Sequence, residues 1–126
     1  MQRKLRKKAK SLDAETFAFL DVNPVNIGHV LIVPKMHFKN IYETPDEIVG
    51  EAAKVAKKIS HVVKMAMSAD GVNITMNNDE AAGQKIFHAH MHIIPRFAGD
   101  GLEMWHSHPY KPGEKETVAK KIISAL

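Results

Sequence analysis

Three histidines alternate with apolar residues in His88-Ala89-His90-Met91-His92-Ile93-Ile94. Side chains alternate faces along a strand, so His88, His90 and His92 are predicted to share one side, with Ala89, Met91 and Ile93 packed on the other. Three imidazoles in a row are costly to bury without partners, so the spacing points to chemistry. Two kinds of chemistry fit. In the first, a neutral imidazole attacks phosphorus, because a reference pKa of about 6.5 leaves its lone pair free near neutral pH. A covalent intermediate then splits one displacement into two. The flanking histidines bind phosphate oxygens. Ala82-Gly83-Gln84 makes a small-residue turn that brings backbone N–H groups to an anion, and Gln84 adds an amide donor. In the second, two histidines spaced by two residues share a zinc ion and leave a position open for water. Three such histidines span about 13 Å at a rise of roughly 3.3 Å per residue, too far for one ion with bonds of about 2 Å. The remaining ligands would then come from His106, His108 or carboxylates.

The elements that must position these residues are short and well punctuated. Residues 16–22 read as a strand, 23–28 as a turn-rich loop, and 29–33 as a second strand closed by Pro34. Thr44-Pro45-Asp46-Glu47 reads as a helix start, with Thr44 as cap, Pro45 at the first helical position and Glu47 completing a capping box. Ile48, Ala52, Val55, Ile59, Val62 and Ala66 then recur at spacings of three and four, so a long amphipathic helix is predicted, ending near Asp70-Gly71. Lys54, Lys57, Lys58 and Lys64 fall off that stripe, on its solvated side. Residues 72–77 alternate strictly, as a half-buried strand does. Residues 85–94 are predicted as a further strand stopped by Pro95. Residues 98–113 read as irregular and 114–126 as a short helix. Strands joined in pairs, with helices between and after, imply an α+β fold: an antiparallel sheet of about five strands, one long helix and a short C-terminal helix.

The chain has 126 residues, enough for one domain that buries roughly two-thirds of its unfolded surface. No apolar run approaches the ~18 residues of a membrane span. No apolar stretch follows the basic start, so no secretory signal is expected. Cysteine is absent, which excludes a disulfide framework, a thiolate nucleophile and a Cys-based zinc site. That fits a reducing compartment, and a cytoplasmic protein is expected. Arg3, Lys4, Arg6, Lys7, Lys8 and Lys10 hold six of the 18 basic residues. Residues 1–12 therefore read as a basic tail on a nearly neutral domain at 13–126. No aromatic residue interleaves these charges, so a solvated tail is expected and a nucleic-acid partner is not.

The run from Gly83 to Pro95, with His-φ-His-φ-His-φ-φ at its centre, resembles the signature of the histidine triad (HIT) superfamily. A second segment agrees: Phe19-Leu20-Asp21-Val22-Asn23-Pro24, then Gly28-His29 to Lys35 and His37. It resembles the first hairpin of small bacterial and Hint-like members. The resemblance implies a nucleotidyl hydrolase or transferase acting at an α-phosphate, with His90 as nucleophile and a nucleotidyl-histidine intermediate. It implies that His88 and His92 flank the nucleophile, His92 on the phosphate, and that His29 supports them from behind. Gln84 and Asn77 match phosphate- or ribose-binding positions, beside Gly83 and Lys85 in the turn. Asp21 matches the acceptor of ribose hydroxyl hydrogen bonds. Phe19, Leu20, Val22 and Ile27 fall where the family lines its base pocket. A homodimer on purine nucleotides, without cofactor or catalytic metal, is implied as well.

From the residues alone, Asp21 also reads as a turn residue before Asn23-Pro24, Asn77 as a solvent-face residue and His37 as a surface residue. The chain departs from the family at two places. A Lys/Arg-rich segment replaces the Cys-x-x-Cys start of many members, so a structural zinc there is excluded. Lys85 stands where Hint-like members often carry serine, which would favour anionic leaving groups. The segment with Trp105, His106 and His108 reads equally as part of the leaving-group side, or a partner's site, and as a surface loop. A metal-dependent hydrolase and a non-catalytic nucleotide-binding partner protein stay open beside the nucleotidyl hydrolase.

Overall fold

A computed structural model describes residues 10–11 and 16–126. The predicted basic tail therefore lies, apart from residues 10 and 11, outside the described residues. The strands are β1 (Lys10–Ser11), β2 (Thr16–Leu20), β3 (Val30–Pro34), β4 (Gly71–Thr75) and β5 (Met91–Arg96). Helix α1 (Asp46–Ala66) joins β3 to β4, and α2 (Glu114–Ser124) follows β5 at a distance. The described strands form one antiparallel sheet in the order β1-β2-β3-β5-β4. Among the described residues no helix is long and apolar enough to cross a membrane.

Helix α1 lies across one face of this sheet. Ala18 of β2, Ile32 of β3 and Ile93 of β5 meet Ala52, Val55, Ala56 and Val63 of the helix in one apolar core. Alternation then sends Phe19, Leu31 and His92 to the opposite face, which α1 leaves open.

Five sequence expectations need correction. The capping box does not form. Pro45 is the N-cap, and Thr44 instead donates its hydroxyl to the Asn40 carbonyl at 2.7 Å, closing the 3-10 turn Ile41–Glu43. Asp46 and Glu47 still place negative charge on the first turn, where the helix dipole favours it. The buried stripe runs through Val63, leaving Val62 and Ala66 exposed, because steps of four from Val55 through Ile59 lead to Val63. The helix ends at Ala66, short of Asp70-Gly71, where Ser68 turns into the left-handed region at φ 51°. The four lysines are exposed as predicted.

Strand β5 starts at Met91, not near Lys85, because residues 86–88 form a bend. It also runs through Pro95 to Arg96. Pairing with β3 ends at Ile93, while pairing with β4 continues through Val72↔Pro95 to Gly71↔Arg96. Asn26, from the loop before β3, donates to the Pro95 carbonyl at 2.8 Å. The polar edge of Pro95 thus faces away from β4, and its missing N–H removes no rung of that ladder.

Candidate active site

The open face of the sheet gathers histidines that are far apart in sequence. His29 closes the loop entering β3, His92 lies inside β5, and His90 immediately precedes β5. The β3–β5 register sets Leu31 opposite His92, so His29 reaches His92, 63 positions further along the chain, with Nε2 and Nδ1 2.9 Å apart. The rings of His90 and His92 lie edge-on with centroids 4.9 Å apart.

The partners of these rings decide where the protons sit. A backbone N–H only donates, so the Val25 N–H, 3.1 Å from His29 Nδ1, makes that nitrogen an acceptor. Neutral His29 therefore carries its proton on Nε2 and donates it to His92 Nδ1. Neutral His92 in turn carries its proton on Nε2, on the opposite edge of its ring. A carbonyl only accepts, so His90 donates from Nδ1 to the His88 carbonyl at 2.7 Å. That leaves the lone pair of neutral His90 on Nε2. The site thus presents one nucleophilic nitrogen and, beside it, one N–H donor.

Burial keeps the supporting pair neutral. His29 is only 2% exposed, and desolvation lowers its pKa against the opposing pull of the Asp21 carboxylate. Desolvation, then repulsion from His90 and His29, lowers His92 to about 4, again against Asp21. Asp21 lies 3.8 Å from His29 Nε2, and its other oxygen accepts from the Asn23 N–H at 2.9 Å.

A cleft of ≈ 450 Å³ opens in front of His90 and His92. Of the sequence-predicted residues, Phe19, Asp21, Val22, Asn77, Gly83 and Lys85 line it with the two histidines. Gly83 sits at φ 93°, and a Cβ there would also stand 3.6 Å from the Asn77 amide nitrogen. The structure brings in two residues that sequence reasoning missed, Leu31 and Ile86. Leu31 was findable, because it shares the face of His29 two residues before it.

Other predicted residues lie elsewhere. Leu20 is 55% exposed and Ile27 73% exposed, and neither lines the cleft. Leu20 alternates with Phe19 and so points to the other side of β2. Gln84 is 2% exposed, with its amide fully engaged: Oε1 accepts from the Asp79 N–H, and Nε2 donates to the carbonyls of Lys39 and Ile86. It staples the loop that carries Gly83 rather than facing the cleft. His88 departs from the shared face at the bend. Its Nε2 donates to the Pro34 carbonyl at 2.9 Å, and its Nδ1 meets His37 Nδ1 at 3.2 Å. His88 reaches His90 through its carbonyl.

Asp21, His29 and His92 are the one grouping, among the described residues, whose ligand atoms come within 4.8 Å of one another as a metal site requires. The donor set does not fit a metal. With Nδ1 accepting from Val25, neutral His29 holds a proton on the very nitrogen that faces the would-be ion.

A second cleft of ≈ 590 Å³ adjoins the first at Asn77 and is lined by Arg96 and by residues 102–105 of the irregular segment. Trp105 is 90% exposed, and His106 and His108 are exposed beyond it.

The pattern of the HIT domain matches residues 5–99. The chain belongs to the HIT family. The protein called hit from Bacillus subtilis is 39% identical over 118 residues, which span 90% of this HIT chain and 81% of that protein. The adenylylsulfatase HINT3 from Arabidopsis thaliana is 42% identical over 90 residues, 71% of this chain but only 46% of that protein. The crystal structure of a histidine triad nucleotide-binding protein from Candida albicans superposes with a TM-score of 0.82 at 28% identity, covering 98% of this chain and 94% of that one. The antiparallel sheet with its helices, predicted from periodicity, is the HIT fold.

Proposed function

We propose that this HIT-family protein transfers a purine nucleoside monophosphoryl group from an activated nucleotide to water or another acceptor, with His90 as nucleophile. The observation that carries the proposal is the 2.7 Å hydrogen bond from His90 Nδ1 to the His88 carbonyl, which leaves the Nε2 lone pair available on the cleft side. In the first step that lone pair attacks the α-phosphorus. The bond from phosphorus to the leaving group breaks, and the leaving group departs with the electron pair. In the second step water attacks the same phosphorus, the P–N bond breaks, and a proton passes to solvent. His92 Nε2–H donates to a non-bridging phosphate oxygen as charge builds on it. The Asp21 carboxylate accepts from the ribose hydroxyls, and Phe19, Leu31, Val22 and Ile86 hold the base. Two relationships support the reading: one relative bears the name of an adenylylsulfatase, and one structural neighbour that of a nucleotide-binding protein.

The homodimer belongs to the same proposal. Leu102, Met104, Trp105, Tyr110, Ile122 and Ile123 are exposed large apolar residues on the segment after β5, and no residue of α2 is buried. A second copy of the chain is the occupant that would cover them.

The test is turnover of a fluorogenic adenosine phosphoramidate, with and without EDTA, by the wild type and by His90→Ala. Product release that survives EDTA and vanishes in His90→Ala supports the mechanism. Loss on chelation overturns it in favour of a metal-dependent enzyme. Nucleotide binding without turnover of phosphoramidate, polyphosphate or adenylate substrates overturns it in favour of a binding protein.

A further inference from the structure

The loop between β2 and β3, residues 21–29, is built from short-range turns, yet one side chain ties it to distant parts of the chain. Asn26 Nδ2 donates to the Pro95 carbonyl at 2.8 Å and to Asp100 Oδ2 at 3.1 Å. Asp100 is itself fixed. Its two oxygens accept from Arg96 Nε at 2.8 Å and from an Arg96 terminal nitrogen at 3.1 Å, and from the N–H groups of Phe97 and Leu102. The paired guanidinium holds its pKa well below the usual carboxylate range, so it stays an acceptor. Arg96 also donates to Asn73 Oδ1 of β4. Asn26 is therefore anchored to the sheet through a bidentate ion pair.

From Asn26 the order passes to the histidines. Its carbonyl accepts the His29 N–H at 3.1 Å, and its neighbour Val25 donates to His29 Nδ1 at 3.1 Å. That last bond sets the proton on His29 Nε2 and, through it, the proton on His92 Nε2. If the loop drifts and the Val25 N–H leaves, His29 can hold its proton on Nδ1 instead. His92 Nδ1 then faces a lone pair, and its own proton moves there. The edge of His92 that faces the cleft changes from donor to acceptor. Asp21 favours the same starting tautomer, but from 3.8 Å, beyond hydrogen-bond reach of His29.

We propose that Asn26, held by Asp100, is a positioning residue for the reaction: it pins the Val25 N–H against His29 and so keeps His92 a hydrogen-bond donor toward the phosphate. Its catalytic consequence rests on the function proposed above; its effect on the tautomers does not. Asn26 touches neither the cleft nor a reacting atom, and it acts only through the relay.

The test reads the protons directly. Two-bond proton–nitrogen spectra of the ¹⁵N-labelled protein near neutral pH report which imidazole nitrogen carries hydrogen, with no substrate present. The wild type is expected to show His29 and His92 protonated at Nε2. Asn26→Ala is expected to move part of the His29 population to Nδ1–H and to lower kcat by about tenfold to a hundredfold, with KM little changed. Asn26→Asp keeps the size of the side chain, removes its donors and repels Asp100, and is expected to do the same. Unchanged tautomers in either folded variant overturn the proposal, as does a wild type without the Nε2–H pair. A tautomer shift in a protein that turns over no nucleotide supports the relay and overturns the function.

Discussion

His29 Nε2 and His92 Nδ1 stand 2.9 Å apart, and neither ring is free to take a second proton cheaply. Burial lowers the pKa of both, that of His92 to about 4. In the unfolded chain a histidine protonates near 6.5. Between about 6.5 and about 4 His92 therefore binds more protons in the unfolded state than in the folded state, so stability falls as pH falls. For His92 the contribution is fully present above 6.5 and gone below about 4, with a slope of up to about 1.4 kcal/mol per pH unit, and His29 acts in the same direction. Urea unfolding at pH 7, 5.5 and 4.5 measures it. The midpoint is expected to drop across this window in the wild type, and to drop less in His92→Asn, which cannot titrate there. Equal slopes in the two proteins would sink the assignment.

The two neighbours of that pair are expected to respond differently to truncation. His90→Ala removes the proposed nucleophile and is expected to abolish turnover while leaving nucleotide binding largely intact. His88→Ala keeps the backbone carbonyl that orients His90 and loses the ring's bonds to Pro34 and His37. It is expected to retain activity within about tenfold and to lose about 1 kcal/mol of stability, the net worth of a hydrogen bond. Single-turnover rates and denaturant midpoints for the two variants decide this. A His88→Ala enzyme as dead as His90→Ala would mean that the His88 ring takes part in the chemistry.

Much of this was legible in the sequence, and the rest fails for specific reasons. The period of the long helix and the alternation in the strands located the core elements, because those patterns are local. The same alternation, applied consistently, separates Phe19 from Leu20 and finds Leu31 beside His29. Which strands pair across long distances has no local signature, so the contact of His29 with His92 was not readable from spacing. Gln84 reads as an amide donor to an anion because no local pattern announces the Asp79, Lys39 and Ile86 backbone groups that engage it. The face of His88 was lost to the bend at residues 86–88, in a stretch whose strand periodicity continues unbroken.

Among the described residues, Lys85 is the one lysine or arginine lining the cleft, and it is exposed there. An ammonium at the edge of a phosphate site stabilises an anion leaving with its electron pair, and gives an amine no comparable help. Lys85→Ser is therefore expected to lower kcat/KM for nucleotide anhydrides, such as polyphosphates and adenylyl sulfate, by about tenfold. Phosphoramidate turnover should stay within about twofold, the change expected when the rim charge has little to act on. Parallel assays of both substrate classes read the ratio. An unchanged ratio would show that Lys85 does not discriminate leaving groups.

The segment after β5 carries the remaining prediction. Trp105 is 90% exposed, Ile122 and Ile123 stand out from α2 at 61% and 66%, and no residue of that helix is buried. An amphipathic helix with no buried residue gains little from packing, and one of eleven residues is marginal in water by itself. A second copy would supply the missing apolar contacts, and residues 102–105 lie against the cleft that adjoins the proposed nucleotide site at Asn77. Trp105→Ala with Ile122→Ser and Ile123→Ser is expected to shift the mass by light scattering from two chains to one. If the arm also completes the site, the monomer should lose activity on dilution-insensitive terms, and the wild type should lose it only when diluted below its dimer constant. A wild type that is monomeric at all concentrations and fully active would overturn both points.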